Sequence, residues 1–301
     1  MTQGPPGTRD YVMLVSLSAL WGSSFLVIKI GVETVPAATL TLARLVIATG
    51  LLLIVARMAG QSLPRGLRLW GLITVASLFG SALPFTLIAW GEEEIDSGVA
   101  AILMAVMPLT TVLLAHLLTR DEKMTLRKGL GVTLGIVGLA VLIGPEKLAK
   151  LGEDTVRQLA VAGAAFCYGI NAVLTKSLIG QPRRALAAAL MIVSTAMLLP
   201  VSLLLDRPWE IAASTGSVVA ILALGVLHTA GGTMLMLAIV RRQGASFFSQ
   251  INLILPLFGV FFGALILFER PPPTAYAALV LIMIGVAVAR ERKRAVPAAP
   301  A

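Results

Sequence analysis

Charge is scarce in this 301-residue chain. Asp, Glu, Lys and Arg together make up 13% of it, about half of what a soluble domain carries, and the deficit excludes an ordinary water-facing surface. Cysteine is nearly missing too. A lone Cys167 excludes an internal disulfide framework and a tetrathiolate metal site, and it reads as a small apolar residue in a helix. No metal or organic cofactor is expected. Polar stretches long enough to fold as a soluble domain are also lacking. What fills the chain instead is hydrocarbon: 57% of residues are hydrophobic and the mean hydropathy is +0.92. Apolar runs near twenty residues recur along almost the whole length, and at helical rise each crosses a bilayer core of roughly 30 Å.

Ten spans follow from these runs: Tyr11 to Ile30, Ala37 to Ala56, Leu69 to Trp90, Ser97 to Leu118, Arg127 to Ile143, Leu159 to Ile179, Ala185 to Leu205, Ser217 to Val240, Ala245 to Phe268 and Thr274 to Ala289. Helix breakers separate them, among them Pro36, Gly60, Gly144, Pro182, Pro208 and Gly244. The first run has only Arg9 on its flank and nine more spans after it, so it reads as a retained helix and not as a signal peptide.

The net charge of +9 is unevenly spread: seventeen of the 24 Lys and Arg fall on the side that holds the N-terminus and five on the other, with Lys29 and Arg44 inside spans. By the positive-inside rule both termini are cytoplasmic. The basic excess is thereby a topology signal and no nucleic-acid partner is expected, since binding one needs a soluble basic face. The acidic run Glu92, Glu93, Glu94 and Asp96 falls in a short outer loop. It is expected to be solvated, with a role in concentrating cations at an outer mouth as the alternative.

Internal similarity appears when the first span is laid on the sixth. Trp21-Gly22 followed by Lys29 matches Tyr168-Gly169 followed by Lys176, at equal spacing. The fourth and ninth spans match as well: Gly98 and Pro108 against Gly244 and Pro256, with Asp121 and Glu269 the same distance beyond each proline. Two matches in one order argue for a repeat. Each half has five spans, an odd number, so the second half is inverted. Inverted repeats suit transport, because two equivalent halves can exchange an outward-open for an inward-open packing around a midplane site.

These residues carry a resemblance. Trp21-Gly22-Ser23-Ser24-Phe25, then Pro36 with Leu42-Ala43-Arg44, resembles the drug/metabolite transporter superfamily, in particular its EamA-like exporters. So does the end of each half, with a proline-broken span, a charged turn at Asp121-Glu122 or Phe268-Glu269-Arg270, and a Gly-rich last helix. The resemblance covers residues 11 to 290 or so. It implies an all-α membrane fold of ten helices in two inverted five-helix repeats, exporting small metabolites, often amino acids or related compounds. The domain boundaries expected are an N-terminal tail (1–10), a first repeat (11–143), an outer connecting loop (144–158), a second repeat (159–290) and a basic C-terminal tail (291–301). The sequence departs from the resembled pattern at His228, where an apolar or small residue is usual.

Intramembrane ionisable groups are costly and therefore candidates. No Asp or Glu falls deep within these spans, which disfavours carboxylate-driven coupling. Arg44 lies roughly 10 Å inside the second span. Two roles stand open for it: binding a substrate carboxylate or phosphate through its planar fork, or fixing helix ends. Lys29 is expected to snorkel toward Glu33 at i+4. His228, in mid-span, can change protonation near neutral pH, or serve as a neutral link between helices. His116 is expected at the interface.

Trp21, Phe79, Phe85 and Tyr168 fall toward the middle of their spans, with Asn171, Gln250 and Asn252 nearer the cytoplasm. Apolar walls with a few orienting polar groups make a small-molecule site, and lipid-facing packing is the alternative for each aromatic. Trp21, Arg44, Phe79, Tyr168, Asn171, His228, Gln250 and Asn252 are thus the expected substrate-binding set. Pro84, Pro108 and Pro256 interrupt spans and are candidate hinges. Gly131-x-x-x-Gly135 and Gly259-x-x-x-Gly263 are expected to pack helices within a monomer.

The expected function is export of a small amphipathic metabolite, such as an amino acid or analogue, by alternating access within the plasma membrane. A sugar-phosphate or nucleotide-type exchanger on the same fold would want several deep basic residues, where only Arg44 qualifies. An intramembrane lipid-modifying enzyme would want a nucleophile with a base, or paired carboxylates, at depth.

Overall fold

A computed structural model of the chain describes residues 6–118, 124–144, 153–178 and 180–289. Asp121, Glu122, Lys147, Lys150 and the tail from residue 291 lie outside the described residues. The first half runs α1 (Thr8–Val32), α2 (Ala37–Met58), α3 (Leu67–Ser77), a π-helical turn (Leu78–Ala82), α4 (Leu83–Glu92), α5 (Ser97–Met104), α6 (Met107–Leu118) and α7 (Leu126–Ile143). The second runs α8 (Glu153–Leu174), α9 (Arg183–Val201), α10 (Thr215–Ala223), a π-helical segment (Leu224–Gly231), α11 (Gly232–Phe248), α12 (Ile251–Ile266) and α13 (Pro273–Ala289). Among the described residues eight crossings are long and apolar enough to span a bilayer, and α12 and α13 are shorter apolar helices. The fold is the ten-crossing, two-repeat membrane architecture expected from the sequence.

The packing repeats the internal symmetry. α2 lies on its counterpart α9 and α7 on α13, while α1 packs on α12 just as α8 packs on α5 and α6. Glycine makes the last two contacts possible. A Cβ on Gly22 would stand 2.9 Å from the Leu255 carbonyl oxygen of α12, and one on Gly169 would stand 2.9 Å from Thr110 Oγ1 of α6. The aromatic-Gly pairs that revealed the repeat are therefore the places where each half's first crossing touches the other half's fourth. The glycine-rich α7 meets α13 the same way, Gly131 against Gly285, the one glycine of α13, close packing that lipid-embedded helices gain from small residues.

Helix ends are capped across the halves as well. Asp206 accepts from the Thr39 amide and hydroxyl near the start of α2 (2.7 and 2.9 Å), and Gln61 accepts from the Arg184 and Ala185 amides at the start of α9 (3.0 and 3.2 Å). Each satisfies amides that the first turn of a helix leaves without internal partners.

The turn between α4 and α5 is held from both sides. Lys29 does not reach for Glu33: its ammonium donates to the carbonyls of Glu92 and Ile95 (2.7 and 3.0 Å), a cation at a helix C-terminus. Local i+4 spacing loses here to two orphan carbonyls that need a donor. Glu269 supplies the opposite charge, accepting from the Ser97 amide, the Ser97 hydroxyl and the Gly98 amide (2.8, 3.0 and 2.9 Å). It takes the place of Asp96, the residue at the N-cap, whose side chain makes no capping bond. Glu269→Ala is expected to destabilise the protein by roughly 2 to 4 kcal/mol, read as a lower thermal midpoint of the detergent-purified chain.

The acidic run is not a solvated loop. Glu94 is exposed, but Glu93 accepts from Arg157 (2.6 Å) and from the Ala37 amide (3.2 Å), and Glu92 is buried within the end of α4. Arg157 also donates to the Trp90 carbonyl and lies over the Trp90 ring. These contacts let α8 begin at Glu153, six residues before the expected Leu159, because the charge of Arg157 in its second turn is paired against α4. The prolines divide as well. Pro84 sits at the start of α4, just after the π-turn, and Pro108 follows the break between α5 and α6, whereas Pro256 lies inside the unbroken α12. His116, on the last turn of α6, accepts from the Met124 amide (3.1 Å).

Candidate functional site

Both third crossings of the repeats lose helical register at mid-span. In the first half the π-turn Leu78–Ala82 precedes Pro84, which has no N–H to continue an ordinary ladder. In the second, Leu224–Gly231 winds as a π-helix and carries His228 and Thr229 at its centre. Such widened turns free carbonyls and re-aim side chains, and they gather at functional sites. Here each receives a side chain from the first crossing of the other half: Trp21 packs its indole on Gly232, and Asn171, three residues beyond Tyr168, packs its amide on Gly80, where a Cβ would stand 2.8 Å from Asn171 Nδ2.

Around the second of these turns, three of the expected residues meet. Trp21 Nε1 donates to the His228 carbonyl at 3.0 Å. The His228 ring is held at both nitrogens, Nδ1 at 3.0 Å from the Ala223 carbonyl and Nε2 at 3.2 Å from Ser23 Oγ. The carbonyl requires a hydrogen on Nδ1. Ser23 has one hydroxyl hydrogen and two acceptors for it, Nε2 of His228 and the Leu20 carbonyl at 2.9 Å. When it goes to the carbonyl, Nε2 must donate, so the imidazole can gain a proton while only one hydroxyl hydrogen turns.

Arg44 stands beside this cluster and is 5% exposed. Its Nε and Nη2 donate to Thr229 Oγ1 at 3.2 and 3.0 Å, and its guanidinium carbon lies 4.2 Å from the centre of the Phe85 ring. A hydroxyl and an aromatic face share its charge, but neither neutralises it. Tyr168, half-buried on α8, lies within electrostatic range of Arg44. Arg44 thus faces residues from both halves.

The remaining expected residues are placed differently. Asn171 belongs to the symmetry-related turn, and its Oδ1 is buried without a hydrogen-bond partner. Phe79 lies half-buried in that turn, while Phe85, on α4, is the ring that faces the guanidinium. Gln250 and Asn252 sit at the start of α12, at the end of the molecule that holds the termini. Asn252 lines a separate cleft of about 100 Å³ with Pro108, Leu109 and Val112. Ser23 and Thr229 were present in the sequence only as neighbours of stronger signals. What marks them is the π-turn, which hydropathy does not register. Among the described residues no group of three His, Cys, Asp or Glu side chains could hold a metal ion.

The comparison with known sequences follows the repeat. The EamA-like transporter family matches the chain twice, over residues 9–144 and 157–290. Protein PagO of Salmonella typhimurium is 30% identical, over 82% of this chain and 81% of its own length. A probable terminal-alkyne amino-acid exporter of Streptantibioticus cattleyicolor is 30% identical over 93% of this chain and 92% of its own. A probable amino-acid metabolite efflux pump of Escherichia coli is 25% identical over 92% and 93%. One crystal structure, 19% identical, superposes with a TM-score of 0.65 over 94% of this chain and 97% of that one, and shows the same fold. The chain is an integral membrane transporter of the drug/metabolite transporter superfamily, not an intramembrane enzyme, and it belongs to the EamA-like transporter family.

Proposed function

We propose that this transporter exports a small amphipathic metabolite with one carboxylate, an amino acid or close analogue, by alternating access. The observation that carries the reading is Arg44: a buried guanidinium whose hydrogen bonds go to a neutral hydroxyl. Buried charges are ordinarily paired, and a guanidinium is a fork that fits a carboxylate. The Phe85 and Trp21 rings supply an apolar wall beside it, and His228, Tyr168 and Asn171 supply orienting polar groups. Two relatives whose names mention amino acids support the same substrate class. A dianionic phosphate asks for more than one cation, and the other deep basic groups are committed, Lys29 to carbonyls and Arg157 to Glu93. The skew of basic residues orients the chain with both termini inside, so Arg44 approaches the site from the outer half of the membrane.

The test is counterflow of labelled amino acids (leucine, phenylalanine, threonine and homoserine) into proteoliposomes holding the full chain. Accumulation of at least one, competed by unlabelled carboxylates and not by the matching amino-acid amides, is the expected result. Equal competition by the amides sinks the carboxylate reading. Thr229→Val, which keeps the shape and removes the hydroxyl under Arg44, is expected to lower counterflow about tenfold by loosening the guanidinium, with the folded yield unchanged.

A further inference from the structure

Glu92 closes α4 and is 0% exposed, and neither of its carboxyl oxygens has a hydrogen-bond partner. The charges around it, taken from each element packed on α4, are otherwise engaged. From α1, Lys29 donates to the backbone carbonyls of Glu92 and Ile95, makes no hydrogen bond to the carboxyl and acts on it only through space. From α2, Arg44 donates to Thr229. From α8, Arg157 is paired with Glu93, and Tyr168 lies within electrostatic range of Arg44. Beyond α4 the turn carries Asp96, whose carboxyl is pushed above the usual range by burial and by the Glu269 charge. Glu269 itself holds the amides of Ser97 and Gly98. Lys29, Glu269 and Arg44 are the charges that act on Glu92.

A carboxylate ion here would be a sealed charge with no donor, which costs several kcal/mol. The neutral acid costs far less. With both oxygens shut off from solvent, nothing larger than a proton reaches them until the α4–α5 turn opens. That turn lies at the face opposite the termini, clamped by Lys29 on its carbonyls and Glu269 on its amides.

We propose that Glu92 is a proton-binding site of the conformation closed at that face: it is loaded from the outer side as the face closes and discharged as it opens. The direction rests on the alternating-access reading above, but the proton site does not depend on the substrate. Closure then has a proton stoichiometry of one, and an acidic exterior favours it.

Infrared spectra of the full chain in nanodiscs at neutral pH test the site. A carbonyl band of a protonated carboxylic acid is expected in the wild type and in the controls Glu94→Gln and Asp96→Asn, lost in Glu92→Gln and shifted in Glu92→Asp. The Asp variant keeps the assignment readable if the Gln variant does not fold. A wild type without the band, its survival in Glu92→Gln, or an unshifted band in Glu92→Asp overturns the proposal. Hydrogen exchange over residues 91–98, corrected for the intrinsic rate, tests the gate. One-proton linkage predicts opening that rises about tenfold per pH unit between the titration of Glu92 in the open form and its titration in the closed form in the wild type and stays flat in a folded Glu92→Gln protein. Equal slopes overturn it. Neither measurement reads transport, so a wrong substrate assignment leaves both results standing.

Discussion

Arg44→Met is expected to abolish counterflow of carboxylate substrates, a loss of roughly a hundredfold or more, while raising the thermal midpoint of the empty protein. The two signs together are the informative result. If Arg44 only braced helices, removing it would strip Thr229 and Phe85 of a partner and lower stability along with activity. If it is held unneutralised for a ligand, the empty protein bears the cost of a buried cation, and an apolar side chain of similar length relieves it. Stability measured by fluorescence-detected chromatography after heating, with and without substrate, separates the two. A fall in the empty midpoint of several degrees sinks the ligand role. Ligand-induced stabilisation is expected in the wild type and not in Arg44→Met, since a ligand stabilises only the state it binds.

Arg44→Lys sharpens the same point. An ammonium offers three donors on a flexible stem where the guanidinium offers a planar fork that also lies flat on an aromatic ring. Phe85 at 4.2 Å and the twin bonds to one Thr229 oxygen both use that plane. The lysine variant is therefore expected to retain charge and folding yet recover little transport, well under a tenth of the wild-type rate.

The architecture was legible in the sequence because it depends on quantities a sequence displays: run length, hydropathy, glycine and proline, and the side on which arginine falls. The Trp21-Gly22 and Tyr168-Gly169 pairs went further, since each glycine marks a close helix contact between the halves. Glu92 was not legible. An acid at the end of an apolar run, followed by two more acids, looks like the start of a wetted loop, and only the tertiary placement of Lys29, Arg157 and Glu269 makes the turn interior. Lys29 failed for the same reason: Glu33 is its neighbour by helical spacing, but the carbonyls that need it lie 63 and 66 residues away in sequence. The π-turns were invisible too, and with them the meeting of Ser23 with His228 and of Arg44 with Thr229. A register slip of one residue leaves composition and periodicity almost unchanged while it turns the side chains beyond it to a new direction.

Gly22→Ala is expected to cost about 1 to 3 kcal/mol and to remove most transport, and Gly22→Val to leave little folded protein. A Cβ at this position meets Phe258 Cβ at 2.5 Å and the amide of Gly259 at 3.1 Å. Two of the three nearest atoms are main chain, so α1 and α12 must separate. Separation carries Trp21 away from Gly232 and from the His228 carbonyl, and the π-segment that positions His228 and Thr229 loses its support. The pseudo-equivalent Gly169→Ala is expected to be milder, because its two nearest atoms are side chain, the Thr110 hydroxyl and a Leu114 methyl at 2.9 and 3.0 Å, and its one main-chain neighbour, the Thr110 carbonyl carbon, stands off at 3.2 Å. Gly129, with nothing within 4 Å of its would-be Cβ, is the control: Gly129→Ala should be neutral or stabilise α7 by up to about 1 kcal/mol through helix propensity. Thermal midpoints and counterflow for the three alanine variants decide it. An order other than Gly22 worst, Gly169 intermediate and Gly129 harmless shows that the contact between each half's first crossing and the other half's fourth does not hold the site together.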